Sequence, residues 1–311
     1  MEYLDQIICG DCLEIMSQIP DNTVHLAVTS PPYNLGLSYD SHDDNLEYEH
    51  YLAWLEKVWL ETKRVLVPGG RFALNIAPTS IKNFRPIHHD FANQLRKIGL
   101  IFRTEILWYK QTMGRRTAWG SWKSAANPHI VPSWEYILVF SKDSWKLAGN
   151  REKADITADE FKRFSDGFWY IPPESQRRGH PAPFPEELIY RLTKFYTFKE
   201  NVVLDMFGGT GTVAVVAYKT GRHFIHIDVS AQYCATAAKR LEVARAAQEL
   251  PITVSRTGKQ VQARFVFRNG NHKEEPKRTT AVVVQHTLTE RREKYRTKCG
   301  TKKANADNNS R

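Results

Sequence analysis

The chain has 311 residues, 41% of them hydrophobic and 12% aromatic, and a formal net charge of +10. That is material for one large domain, or for one domain with a sizeable insertion. No apolar run approaches the roughly 20 residues of a bilayer crossing, and Met1-Glu2-Tyr3-Leu4-Asp5 lacks the basic and apolar regions of an export signal. No membrane partner is expected, and the expected location is the cytoplasm.

The first predicted strand is 5–9, followed by a helix over 12–18 and a strand over 24–29. Cys9-Gly10-Asp11-Cys12 has C-x-x-C spacing, but four cysteines are too few for a disulfide scaffold and a metal site needs a second ligand pair. A redox motif stays open. The plainer reading is favoured: Cys9 ends a strand, Gly10-Asp11 turns, and Cys12 opens a helix. Asp40, Asp43, Asp44, Glu47 and Glu49 lead into the clearest helix, 48–66, whose N-terminus favours acids. Its stripe is Tyr48, Tyr51, Leu55, Val58, Trp59, Thr62 and Val65, and Pro68-Gly69-Gly70 is predicted to stop it.

Further strands are predicted at 71–77, 101–109, 134–140, 201–205 and 223–227, with helices at 88–98, 184–196, 212–220 and 230–248. This alternation predicts an α/β fold with a mostly parallel sheet and helices on both faces. Residues 110–180, rich in Gly, Pro, Ser and Trp, interrupt the rhythm, as a functional or disordered segment does. Residues 251–311 interrupt it again. They hold 15 of the 44 basic and 5 of the 34 acidic residues, so 1–250 is neutral with 29 of each. A basic extension, partly disordered, implies a polyanion partner or a solubilising tail.

Val202-Val203-Leu204-Asp205-Met206-Phe207-Gly208-Gly209-Thr210-Gly211-Thr212 reads as strand, glycine turn and helix start. Glycines let a ligand approach the backbone, and a helix N-terminus offers N–H groups to an anion. Asp228 ends the next strand, 19 residues past Gly209, where a carboxylate accepts bonds from ribose hydroxyls. The loop alone implies an adenosine-containing cofactor and does not choose between NAD and S-adenosylmethionine.

The strand at 24–29 delivers Thr29-Ser30-Pro31-Pro32-Tyr33. An amine on an aromatic base is a poor nucleophile, because its lone pair is delocalised into the ring. Two acceptors on its N–H groups stabilise the charge that grows as it attacks. Ser30 Oγ supplies one and the Pro31 carbonyl the other. Pro31-Pro32 fixes φ and has no N–H to compete, and Tyr33 offers a ring face for a base.

Thr29-Ser30-Pro31-Pro32-Tyr33 together with Asp205-x-Phe207-x-Gly209-x-Gly211-Thr212 resembles the S-adenosylmethionine-dependent amino-methyltransferases of DNA. The catalytic motif precedes the cofactor motif, which resembles the circularly permuted β-class order. The resemblance implies a Rossmann-like methyltransferase domain over 1–250, with 110–180 as an inserted target-recognition region. It places Asp11 at the cofactor adenine, and His180-Pro181 at the methionine end with Asp205, Phe207, Gly208, Gly209, Gly211 and Thr212. Serine at the first motif position goes mostly with cytosine N4 and aspartate mostly with adenine N6. Cytosine is therefore expected, with adenine the alternative. An NAD(P)-dependent oxidoreductase on the same loop is the alternative of another class; it leaves the T-S-P-P-Y motif without a role.

The partner implied is double-stranded DNA in a prokaryotic cell, with the target base flipped out of the duplex. A homodimer and a cognate restriction endonuclease stay open. Arg115, Arg116, Trp119 and Lys123, in a stretch without acids, are the expected DNA contacts. Core packing is the competing reading for the tryptophans of this region. His42, His50 and His88-His89-Asp90 have no fixed ligand geometry, and methyl transfer from a sulfonium needs no metal.

Overall fold

A computed structural model describes residues 3–32, 47–77, 85–110, 120–130, 132–174 and 183–249, together with 262–263 and 281–282. Gln6–Cys9 (β1) leads through Cys12–Ser17 (α1) to Val24–Thr29 (β2). Asp11 caps α1, its Oδ1 accepting from the N–H groups of Leu13 (2.8 Å) and Glu14 (3.2 Å). Tyr48–Val65 (α2) precedes Leu66–Ile76 (β3), Ile87–Lys97 (α3), Leu100–Tyr109 (β4) and Trp134–Lys142 (β5). After a 3₁₀ turn at Arg151–Lys153 come Ala158–Phe164 (α4), Phe168–Tyr170 (β6) and Glu186–Tyr196 (α5). Val202–Asp205 (β7), Thr212–Lys219 (α6), His223–Asp228 (β8) and Ala231–Glu249 (α7) complete this part.

Eight strands form one sheet in the order β1-β8-β7-β2-β3-β5-β4-β6. All neighbours are parallel except β5, which runs antiparallel to both β3 and β4. Both faces are covered. Met16 of α1, Leu55 and Trp59 of α2 and Phe91 of α3 pack with Leu74, Leu204 and Ile225. Leu192 of α5, Val213 and Val216 of α6 and Leu241 of α7 pack with Val28, Ala73, Val203 and Phe224. A strand buried on both faces reads as a continuous apolar run, as β2 and β7 do. This is the mostly parallel, doubly covered sheet that the alternation predicts.

One element start differs from expectation. The helix ends at Val65, but β3 begins at once at Leu66, not after Pro68-Gly69-Gly70. Leu66 pairs with Val24, and the next pair is Arg71 with Leu26. The Pro-Gly-Gly stretch therefore absorbs a register shift inside the strand. The segment 110–180 contributes β5, α4 and β6. The capping box that opens α4, Thr157 with Glu160, and the three-residue β6 are too short to show a period.

The chain divides into two units, 1–245 and 246–311. In the second, Gln262–Ala263 pairs antiparallel with Ala281–Val282. Among the described residues, no helix is long and apolar enough to cross a membrane.

Candidate active site at the carboxyl ends of the strands

β2 and β7 are neighbours in mid-sheet, with Leu26 opposite Val203 and Ala27 opposite Leu204. Their carboxyl ends therefore emerge side by side, where open α/β sheets bind ligands. A buried hydrogen bond ties them: Thr29 Oγ1 donates to Asp205 Oδ1 at 2.7 Å. The same oxygen accepts from the Phe207 N–H at 3.1 Å and so starts the turn into the glycine loop. Asp205 is 2% exposed, and burial pushes its carboxyl up to about 7, against the two hydrogen bonds that pull it down.

The helix α2 braces both loops. The Tyr51 hydroxyl donates to the Pro32 carbonyl at 2.6 Å. One turn on, the Trp54 ring lies 5.7 Å from the Phe207 ring. Ser30, Pro31 and Pro32 thus stand on the β2 side of the crevice and Phe207 to Thr212 on the β7 side.

The glycine loop is shaped by what lies beneath it. Gly208 N–H donates to the Ile227 carbonyl (2.9 Å), and Gly209 N–H to Asp228 Oδ2 (2.7 Å). A Cβ on Gly208 would meet the His226 ring at 2.2 Å. Gly211 has φ +80, and a Cβ there would meet Ala237 Cβ of α7 at 2.6 Å. The side chain of Arg240, also on α7, donates to the Thr210 carbonyl at 2.6 Å. His226 is buried, and that burial holds its imidazole neutral, with its pKa down to about 4.

Asp228 holds the loop from below. Its Oδ1 accepts from the Ser230 N–H at 2.8 Å and its Oδ2 from Gly209, and burial raises its pKa. A carboxylate offers about four lone-pair sites, so two bonds leave capacity for further donors. The carbonyl of Asp228 accepts from the Gly10 N–H at 3.0 Å, which sets Asp11 on the next turn. Cys12, which follows, is buried, and burial with the Asp11 charge pushes its thiol up to about 12, far from a reactive thiolate.

These residues fit an adenosyl cofactor with an amino-acid end. Gly211 is the N-cap of α6 and has no side chain to satisfy the N–H groups of the first turn. Those donors suit an anion, and the carboxylates of Asp228 and Asp11 suit hydroxyl and amino donors. Of the residues singled out in the sequence, Ser30, Pro31 and Pro32 meet Asp205, Phe207, Gly208, Gly209, Gly211, Thr212, Asp228 and Asp11 at one edge of the sheet. Lys123 lies in the turn 120–130, with φ +55 and its ammonium 6.0 Å from the Trp122 ring. Tyr33, Arg115, Arg116, Trp119, His180 and Pro181 lie outside the described residues.

Thr29, Tyr51, Trp54 and Arg240 are not distinguished by the sequence as site residues. Tyr51 shows only as one position of an apolar helix stripe. A further polar group lies beside the site. Asn75 Nδ2 donates to Glu135 Oε2 at 2.7 Å, and the Lys110 ammonium pairs with Glu135 Oε1.

Residues 24–239 match the N6_N4_Mtase family, described as DNA methylase. The chain is 40% identical over 173 residues to the Type II methyltransferase M.MjaVI of Methanocaldococcus jannaschii, spanning 55% of this chain and 87% of that one. It is 30% identical over 265 residues to M.MjaI of the same organism, spanning 72% and 86%. Among solved structures, a DNA modification methylase of Thermus thermophilus, TTHA0409, complexed with S-adenosyl-L-methionine, superposes with a TM-score of 0.62 and 30% identity, covering 76% of this chain and 92% of that chain. The match decides the glycine loop in favour of S-adenosylmethionine over a nicotinamide dinucleotide. The chain belongs to the N6_N4_Mtase family of DNA methylases, and its methyl donor is S-adenosylmethionine.

Proposed function

We propose that the protein methylates the exocyclic N4 of a cytosine flipped out of duplex DNA. The observation that carries this reading is the Thr29–Asp205 hydrogen bond, which sets Ser30-Pro31 beside the glycine loop. When bound, S-adenosylmethionine supplies an electrophilic methyl group on a sulfonium. Asp11, Asp205, Phe207, Gly208, Gly209, Gly211, Thr212 and Asp228 would hold it, with His180 and Pro181.

The protein's own contribution is to aim the acceptor. Ser30 Oγ and the Pro31 carbonyl accept the two N–H bonds of the target amine and stabilise it as its nitrogen becomes positive. Tyr33 stacks on the flipped ring and replaces part of the stacking lost from the duplex. The amine nitrogen attacks the methyl carbon as the carbon–sulfur bond breaks, and the surplus amine proton leaves to solvent. Arg115, Arg116, Trp119 and Lys123, within 110–180, are assigned to DNA contact. Serine at the first motif position favours cytosine over adenine. In this reading the enzyme is the modification part of a restriction–modification system in a prokaryotic cytoplasm.

The test is expression in a host free of DNA methylation, followed by sequencing that separates N4-methylcytosine from N6-methyladenine. N4-methylcytosine at one recurring sequence is the expected result. N6-methyladenine there would replace cytosine by adenine as the target, and DNA without either mark would overturn the proposal.

A further inference from the structure

Four polar side chains line up across four strands at the catalytic edge of the sheet. Thr29 is the register partner of Leu74, so Ser30 and Asn75, one step on, stand level on adjacent strands. Side chains alternate along a strand, and Val28, Ala73, Ile137 and Trp108 all belong to one core cluster. Ser30, Asn75, Glu135 and Lys110 lie two residues from these and so share that face. Asn75 and Glu135 are 3% and 8% exposed. Asn75 Nδ2 donates to Glu135 Oε2 at 2.7 Å. The Lys110 ammonium, 4.6 Å above the Trp108 ring, pairs with the other carboxylate oxygen. A buried ion pair is a poor device for stability alone, since apolar packing of similar volume does as well or better. Its place beside Ser30 calls for a reason in the chemistry.

Serine as an acceptor has a difficulty that a carboxylate does not. Its hydroxyl carries a proton, which must point at some acceptor before the lone pairs can face an amine. Ionised Glu135 accepts only, so it takes the amide N–H of Asn75 and fixes which way that amide faces. Nδ2 is turned to β5, which turns the amide oxygen to the β2 side, where Ser30 stands. Lys110 holds Glu135 in its charged form.

We propose that Asn75, locked by Glu135 and Lys110, is a positioning residue that accepts a hydrogen bond from the Ser30 hydroxyl in the substrate complex and so aims the lone pairs of Ser30 at the target amine. No proton is transferred in this contact. The proposal rests on the methyl-transfer reading above.

The experiment is a double-mutant cycle on the full chain with Asn75→Ala and Ser30→Ala. It reads single-turnover incorporation of tritiated methyl into DNA, the Kd of S-adenosylmethionine by calorimetry, and the melting temperature. Asn75→Ala is expected to slow transfer about tenfold or more while the cofactor Kd moves less than about twofold. In the Ser30→Ala background the same substitution is expected to cost nothing further, which a merely structural role would not produce. Equal slowing in both backgrounds, or no slowing in either, overturns the proposal. If Asn75→Ala no longer binds cofactor, Glu135→Gln, which keeps the packing volume, takes its place in the cycle with the same two outcomes. Wild-type protein that incorporates no methyl overturns the transfer reading itself, whereas wild-type transfer with additive losses overturns only the role of Asn75.

Discussion

Replacing Ser30 by alanine removes one of the two acceptors assigned to the target amine and leaves Thr29, Asp205 and the glycine loop in place. Transfer of tritiated methyl should fall by about 10²–10³, the cost of one preorganised polar contact at a reacting group. Cofactor affinity by calorimetry should be nearly unchanged, and full turnover would remove Ser30 from the mechanism. Asp205 makes a prediction about stability. Its carboxyl titrates near 7 in the fold, against an ordinary value of 3.8. Between those values the native state holds a proton that the unfolded chain has released. The stability Asp205 contributes therefore declines as pH rises through that window. Asp205→Asn keeps an acceptor for Thr29 and Phe207 and removes the titration, so melting temperature should vary less with pH from about 5 to 8 than in the wild type. Ser30 and the glycines are legible in the sequence because their chemistry is written in adjacent residues. Asn75, Glu135 and Tyr51 are not, because their roles arise from pairings between residues far apart in the chain or from a helix laid over a loop.

At the scale of elements, α2 is the part that joins the two motifs. Tyr51→Phe deletes the donor to the Pro32 carbonyl and keeps the ring in the core. It should cost about 1 kcal/mol of stability in a denaturant titration. Transfer should slow, while cofactor binding, which does not use Pro32, should hold. Gly211→Ala acts on the other loop. It forces an alanine to φ +80 against Ala237 of α7, which should cost about 1–3 kcal/mol and weaken S-adenosylmethionine in calorimetry. Long elements are readable from periodicity, and α2 runs as its stripe predicts. Pro68-Gly69-Gly70 misleads because the residues that end a helix also accommodate an irregular strand, and only the partner Val24 distinguishes the two. β6 is unreadable because three residues between Gly167 and Ile171 carry no repeat.

Taken whole, the molecule separates charge from chemistry. Residues 1–250 are neutral, and the entire +10 belongs to 251–311. If that segment binds phosphates, its deletion should weaken DNA binding alike for all sequences and flatten the fall of log K with log salt, as a filter-binding titration measures. Cofactor binding by residues 1–250 should persist. The sheet order also grades the molecule by persistence. β2 is the fourth of eight strands, hydrogen-bonded on both sides, whereas β6 is a three-residue edge. Local opening begins at edges, so in deuterium the amides of 24–29 should outlast those of 168–170 by orders of magnitude. The Thr29-Ser30-Pro31 turn is thus rooted where the scaffold yields last, and the segment offered for reading DNA hangs from where it yields first. New target sequences can therefore be acquired by changes at that edge while the methyl-transferring centre is inherited intact.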